Sequence, residues 1–147
     1  MSVKKQQKLT FFKPDFNGTH QIQYITEGVS AGFPSPAADF MENNIDLNKE
    51  LSANQLATFY IKVKGNSMID AGINDKDVLV VDRSLEPKNN KIAICFIDGE
   101  FTVKRLQIKN DELRLIPENS KYQPIIITEE NQFIIWGIVT YVIKKIS

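Results

Sequence analysis

The chain has few of the residues that metal sites and disulfides need. Among its 147 residues there is one cysteine, Cys95, and one histidine, His20. A single cysteine cannot form an internal disulfide, which is typical of a reducing cytoplasm, and Cys95 within KIAICFI is predicted to be a small core residue. One histidine cannot form a His-rich zinc site, and one cysteine cannot form a Cys₄ site. Neither GxxxxGK[ST] nor GxGxxG occurs in the sequence. We therefore predict a cytoplasmic protein without a metal or cofactor.

The chain also lacks an excess of charge and a long apolar run. Lys plus Arg number 18 and Asp plus Glu number 18, so the formal net charge is zero. No global basic field favours direct binding to nucleic-acid phosphates. The basic start, MSVKKQQKLTFFK, has no apolar segment of a secretory signal. The longest apolar run, residues 133–143, is too short to span a membrane. We expect neither sequence-specific DNA binding nor a membrane anchor.

The pattern of β-branched and aromatic residues predicts a mostly β fold. About seven runs are separated by turn signals, at 57–63, 78–82, 91–97, 100–108, 112–116, 124–128 and 133–143. Asp98-Gly99 is a two-residue hairpin signal. The segment DFMENNIDLNKEL is expected to form one or two short helical turns. Residues 1–36 have little periodicity and three prolines. We predict a compact antiparallel β domain over 37–147, preceded by an extended N-terminal arm over 1–36.

A slender segment, GVSAGFPSPAADF, lies at residues 28–40. Its small residues are followed at once by Pro34 and Pro36, and each proline favours extended geometry in the residue before it. Composition alone favours a linker between the arm and the domain. The alternative is an extended peptide that fits into a cleft.

The turn VKGNSMID at 63–70 contains a candidate nucleophile. Gly65 and Asn66 suit a tight turn after a strand, and Ser67 follows where a short helix could begin. Ser67 and Asp70 have the spacing of a capping box, and the pattern by itself favours capping. In the functional alternative, the turn exposes the Ser67 hydroxyl, and neighbouring backbone N–H groups converge on a developing oxyanion.

The strand EFTVKRL contains a candidate general base, Lys104. The only histidine lies in the arm, so a Ser–His–Asp triad is not expected. On a strand, Lys104 shares a face with Thr102 and Leu106, and either face could point inward. A lone strand lysine is most often solvated. A lysine buried beside a serine would instead have a lowered pKa, and its neutral amine could take the serine proton.

Together these features resemble the UmuD-type proteins of the LexA-like family of self-cleaving serine peptidases. The resemblance includes GFPSPAADF, IDLN, GNSMIDAGIND, DVLVVD, DGEFTVKRLQ and LIPENSKYQPI. It implies that Ser67 is the nucleophile and Lys104 the general base. It also implies that the backbone N–H groups of Asn66 and Ser67 form the oxyanion hole. The scissile bond would join Ala31 to Gly32, so the slender segment would be the enzyme's own substrate.

The resemblance also implies a role in the SOS response to DNA damage. Cleavage would be stimulated by RecA filaments on single-stranded DNA. The processed form would be a homodimeric accessory subunit of an error-prone, UmuC-type translesion polymerase, with the sliding clamp as a further partner. One alternative is a LexA-like self-cleaving regulator, although we expect the 31 residues before the bond to be too few for its DNA-binding module. The other is a non-catalytic β-rich adaptor, in which Ser67 and Lys104 are only structural.

Overall fold

The computed structural model describes residues 8–16, 22–25 and 41–147. Most of this chain forms strands, which are β1 (Lys8–Phe12), β2 (Ile22–Ile25), β3 (Met41–Ile45), β4 (Thr58–Lys64), β5 (Val78–Asp82), β6 (Ile92–Ile97), β7 (Glu100–Lys109), β8 (Glu112–Ile116), β9 (Ile125–Ile126) and β10 (Phe133–Ile143). The helical elements are one α-helical turn, α1 (Leu47–Leu51), and two 3-10 turns, Gln55–Ala57 and Ile69–Ala71. Within the described ranges, no helix is long and apolar enough to cross a membrane.

Eight of the strands form one sheet in the order β1-β4-β5-β10-β6-β7-β8-β9, and β2 pairs separately with β3. Every pair of neighbouring strands is antiparallel. The predicted antiparallel β fold is therefore confirmed. Strand β9 is shorter than the predicted run at 124–128. Pro124 has no N–H to donate, and the Thr128 N–H donates to the Asn131 side chain, so neither extends the ladder.

The segment DFMENNIDLNKEL forms one helical turn, as expected, but it also contains a strand that was not predicted. Helix α1 provides one turn, which begins after Asp46, and the Asp46 carboxylate accepts a hydrogen bond from the Asn48 N–H at 3.0 Å. This is the usual way in which an aspartate starts a helix. The residues before it form strand β3, because they pair with β2 from the preceding part of the chain. That pairing is a tertiary effect, and no local pattern indicates it.

Residues 1–36, to which the sequence analysis assigned no strand, contain strand β2 and also the edge strand β1. It pairs with β4 along its whole length and forms one edge of the sheet. Its Phe11 ring packs edge-on against Phe101 and against Trp136, with ring centroids 4.9 Å apart in both pairs. Half-buried and exposed positions alternate over only five residues here, and Lys13 and Pro14 follow directly. Such a short pattern is too weak to predict a strand. The division into an arm over 1–36 and a domain over 37–147 stays a prediction.

Strand β7 is buried on both of its faces, and this burial decides where the site lies. Thr102, Val103 and Lys104 are all buried, although successive residues of a strand point to opposite faces. On one face of β7, Val103 packs in a buried hydrophobic cluster with Ile61, Val63, Met68, Ile73, Leu79, Val81 and Ile94. On the opposite face, Leu106 packs in a second buried cluster with Ala93, Cys95, Leu115 and Ile138. Cys95 is thus a core residue, as expected.

The sheet curls so that strands far apart in its order approach each other. Strands β5, β10 and β6 separate β4 from β7 in the sheet. Even so, the Phe11 ring of edge strand β1 touches the Phe101 ring of β7. In a flat sheet, strands are about 5 Å apart, so this contact requires strong curvature. The curl brings the turn after β4 over the middle of β7.

Candidate active site

The turn after β4 places Ser67 in the interior of the protein. Gly65 has a φ of 115°, a backbone conformation that glycine adopts much more easily than other residues, and it turns the chain sharply after Lys64. Its N–H donates to Asp75 Oδ1 at 2.9 Å, which ties the turn to the next loop. Ser67 is 2% exposed, and the adjacent Met68 side chain is fully buried in the core. The turn is thus anchored on both sides of the serine.

The hydrogen bonds of this turn differ from those of a capping box. The 3-10 turn begins at Ile69, and its N-cap is Met68 rather than Ser67. The Asp70 N–H, which a capping Ser67 would bind, donates instead to the Glu118 carbonyl oxygen at 2.7 Å. The geometry therefore does not give Ser67 the helix-starting role that the local pattern favoured.

The side chain of Lys104 reaches Ser67 from the middle of β7. Its Nζ lies 3.4 Å from Ser67 Oγ, 2.6 Å from Thr102 Oγ1 and 3.1 Å from the Val103 carbonyl oxygen. Lys104 is 6% exposed. These three oxygens are uncharged, so among the described residues the amine is held by hydrogen bonds and not by an ion pair. Thr102 lies on the same face of β7 as Lys104, as the spacing of two residues predicts.

Burial lowers the pKa of Lys104 from 10.5 to about 8, because an ammonium group loses hydration inside the protein. Cys95 on the neighbouring strand acts in the opposite direction, since a thiolate there would favour the ammonium form. However, burial also raises the pKa of the Cys95 thiol to about 12. Cys95 is therefore neutral at ordinary pH, and desolvation determines the direction of the Lys104 shift.

A loop after β8 holds the other side of the turn. The Asn119 side chain donates from Nδ2 to the Asn66 carbonyl oxygen at 2.8 Å, and the Tyr122 hydroxyl lies 3.5 Å from Asn66 Oδ1. Sequence reasoning did not select Asn119 or Tyr122. No local signal could have found Asn119, because 53 residues separate it from Asn66 in the chain. Only the tertiary fold brings the two residues together.

The structure brings together Ser67, Asn66 and Lys104, three of the five residues that the sequence analysis selected. The other two, Ala31 and Gly32, lie outside the described residues, as does His20. Among the residues that the structure describes, no three His, Cys, Asp or Glu side chains form a group that could hold a metal ion.

Comparison with known proteins identifies the family. A model of the family described as Peptidase S24-like matches residues 23–140. The chain belongs to this family. The matched range includes Ser67, Lys104 and the Ala31-Gly32 pair. The resemblance seen in the sequence, to UmuD-type members of a family of self-cleaving serine peptidases, is thereby confirmed.

Three relatives show how far the similarity extends. SamA of Salmonella typhimurium is 45% identical over 121 residues, which cover 82% of this chain and 84% of SamA. MucA of Escherichia coli is 39% identical over 123 residues, covering 83% of this chain and 84% of MucA. The LexA repressor of Bordetella pertussis is 37% identical over 116 residues, which cover 79% of this chain but 53% of the repressor.

Proposed function

We propose that the protein is a serine endopeptidase that cuts its own chain between Ala31 and Gly32. Ser67 is the nucleophile in this proposal, and Lys104 is the general base. The observation that carries the proposal is the 3.4 Å approach of Lys104 Nζ to Ser67 Oγ at a site where both side chains are buried. A serine and a lysine of lowered pKa in contact are the two groups that such a peptidase requires.

The hydrogen bonds around Lys104 suit an amine that acts as a base. A neutral amine has two N–H groups and one lone pair. Thr102 Oγ1 and the Val103 carbonyl oxygen can accept the two N–H groups, because they are the nearest oxygens. The lone pair then faces the Ser67 hydroxyl, which donates to it. With a pKa of about 8, a substantial fraction of Lys104 is neutral at mildly alkaline pH.

The reaction divides into two transfers of an acyl group. Ser67 Oγ attacks the Ala31 carbonyl carbon while its proton passes to Lys104 Nζ, and the N–H groups of Asn66 and Ser67 stabilise the oxyanion. The C–N bond then breaks, and the Lys104 ammonium gives its proton to the Gly32 amine that leaves. Water, deprotonated by Lys104, then attacks the Ala31–Ser67 ester, and Lys104 returns this proton to Ser67 Oγ as the ester C–O bond breaks. The products are residues 1–31 with a new carboxylate and residues 32–147 with a new amine.

The composition of the slender segment supports this assignment of the substrate. Ala31 and Gly32 have almost no side chain, so the scissile backbone can approach a buried serine closely. Pro34 and Pro36 favour an extended chain beside the scissile bond, and extended peptides are the form that binds along strand edges. Because the substrate belongs to the same protein, its effective concentration at Ser67 can be very high.

We infer further that the processed form acts in the cytoplasm during the SOS response. It would be a homodimeric accessory subunit of a UmuC-type translesion polymerase, with cleavage stimulated by RecA filaments and with the sliding clamp as a further partner. Similarity to SamA and MucA over more than four fifths of both chains supports this role. The zero net charge favours contact with DNA through these partners. The similarity to LexA repressor makes a self-cleaving regulator the second candidate.

Intact-mass measurement of the wild type and of Ser67→Ala tests the proposal. The proteins are incubated at pH 9, and separately at neutral pH with RecA filaments on single-stranded DNA. We expect the wild type to split into residues 1–31 and 32–147, with Gly32 at the new N-terminus. Ser67→Ala should remain whole, because it lacks the attacking oxygen.

The matched control is Ser84→Ala, a serine on the surface whose hydroxyl donates to Asp82. It should be processed like the wild type. Shortening of Ser67→Ala, or a new N-terminus other than Gly32, would contradict the proposal.

A further inference from the structure

A loop from the second half of the chain clamps the turn that contains Ser67. The loop comprises residues 117–122 and follows strand β8. The Glu118 carbonyl oxygen accepts the Asp70 N–H at 2.7 Å, and Asn119 Nδ2 donates to the Asn66 carbonyl oxygen at 2.8 Å. These two bonds hold the turn on either side of the serine. Because the loop is also tied to β7 by an ion pair between Glu118 and Arg105, the clamp connects the turn to the strand of Lys104.

The Asn119 side chain is held in one orientation. It is 6% exposed, and its Oδ1 accepts the Lys121 N–H at 3.0 Å. With the oxygen used in this way, the amide nitrogen has to point toward Asn66. A buried amide with partners on both atoms is a rigid support, since leaving either atom unpaired would cost free energy.

The bond from Asn119 bears directly on one of the proposed oxyanion donors. The Asn66 C=O and the Ser67 N–H belong to the same peptide unit, and the described chain has no cis peptide bonds. In a planar trans peptide, the C=O and the N–H point in opposite directions. Fixing the direction of the Asn66 carbonyl therefore fixes the direction of the Ser67 N–H. The Ile69 N–H also donates to this carbonyl, but at the longer distance of 3.3 Å.

We propose that Asn119 is a positioning residue for self-cleavage, which aims the Ser67 N–H at the developing oxyanion by holding the Asn66 carbonyl from behind. This inference rests on the function proposed above and extends it to a residue outside the Ser–Lys pair. Its energetic basis is that an oxyanion donor contributes only when it already points at the charge that develops.

Two variants of Asn119 separate its donor from its acceptor. Asn119→Asp keeps an oxygen that can accept the Lys121 N–H, but it has no N–H for the Asn66 carbonyl. Asn119→Ala loses both bonds and introduces no charge. We expect both to cleave themselves roughly 10- to 100-fold more slowly per folded molecule, since losing an oxyanion donor outright costs about 10²- to 10³-fold. The midpoint of the pH–rate profile of Asn119→Ala should stay at its wild-type value, because Lys104 is unchanged.

The control is Asn131→Ala, which removes a comparable loop-holding amide far along the sheet. Asn131 Oδ1 accepts the Thr128 N–H at 2.9 Å, and its Nδ2 donates to Asp98. This variant should cleave at the wild-type rate per folded molecule. If Asn119 is merely structural, its two variants should lose thermal stability but should also cleave at the wild-type rate per folded molecule. That result would overturn the inference.

A spectroscopic measurement tests the same inference without relying on cleavage. In ¹H–¹⁵N spectra of the full chain at pH 6.5, where Lys104 is mostly protonated, the Ser67 amide resonance should move in both Asn119 variants. It should not move in Asn131→Ala. An unmoved Ser67 resonance in the Asn119 variants would overturn the inference. If the wild type does not cleave itself at all, the proposed function fails, and the spectra still decide whether Asn119 orients this N–H.

Discussion

Lys104 is kept at a position where its charge is costly. Its side chain is 6% exposed, and the three oxygens within hydrogen-bonding distance are uncharged. Burial without a compensating carboxylate is what lowers the pKa of a lysine. An apolar residue at this position would make the folded protein more stable. The stability lost by burying the Lys104 ammonium group is therefore consistent with the catalytic role proposed for it.

The cost of this charge predicts how stability depends on pH. The pKa of Lys104 is about 8 in the folded protein and 10.5 as a model value for the unfolded chain. Between these pH values the unfolded chain binds more protons, so stability should rise as the pH increases across this window. Below pH 8 the penalty is fully present and amounts to about 3 kcal/mol, since one pKa unit corresponds to about 1.4 kcal/mol.

Lys104→Met should therefore be more stable than its parent at pH 7, by up to about 3 kcal/mol, and should lose this advantage near pH 10.5. Urea unfolding at the two pH values measures the difference, in a Ser67→Ala background so that cleavage does not interfere. Lys62→Met, at an exposed position on β4, is the control and should change stability little at either pH. A Lys104→Met variant without a pH-dependent advantage would show that the lysine is not desolvated.

At the same scale, some of the site could be predicted and some could not. Gly65 and Asn66 before Ser67 indicated a turn, and the strand position of Lys104 followed from its neighbours. The choice between capping and catalysis for Ser67 could not be made locally, because both need a serine at a turn. The contact between Ser67 and Lys104, 37 residues apart, and the support from Asn119 both depend on the complete fold.

At the scale of elements, the strands from β4 to β10 were predicted well because each has dense β-branched or aromatic residues between turn signals. The bounds of β5, β8 and β10 agree with the predicted runs. Strand β1 was missed, since only Leu9 and Phe11 of its five residues pack inward. Strand β3 was missed because its pairing with β2 outweighs a polar composition that suggests helical turns. Strand β2 was missed as well, because no strand was predicted within residues 1–36. All three missed strands pair with a partner that is distant in the chain.

Besides its pairing with β4, the edge strand β1 is held by side-chain packing, in which the Phe11 ring takes part. Phe11 packs edge-on against Phe101 and Trp136, and it is half-buried. We expect Phe11→Ala to lower the free energy of unfolding by about 2 kcal/mol, less than for a fully buried phenylalanine. Thr10→Ala, at an exposed position of the same strand, should cost less than about 0.5 kcal/mol. Urea unfolding of both variants in the Ser67→Ala background provides the measurement. Equal effects of the two substitutions would contradict the packing described for β1.

At the scale of the whole molecule, the site exists because the sheet curls. The turn with Ser67 follows β4, Lys104 lies on β7, and Asn119 lies after β8, so three separate parts of the chain meet at one point. The pattern of short strands predicts an antiparallel β fold, but it does not fix the order of strands in the sheet or the degree of curvature. For this reason, the chemistry of the site could be proposed from the residues and the resemblance, whereas its geometry required the structure.

The central claim is that a lysine of lowered pKa activates Ser67, and the pH dependence of self-cleavage tests it most directly. Rates without RecA are measured from pH 6 to 10.5 for the wild type and for Lys104→Arg. We expect the wild-type rate to rise through about pH 8 and then level off, because the neutral amine of Lys104 is the active form. Lys104→Arg should be inactive throughout, because a guanidinium keeps its proton across this range. A flat wild-type profile, or appreciable cleavage by Lys104→Arg, would contradict the claim.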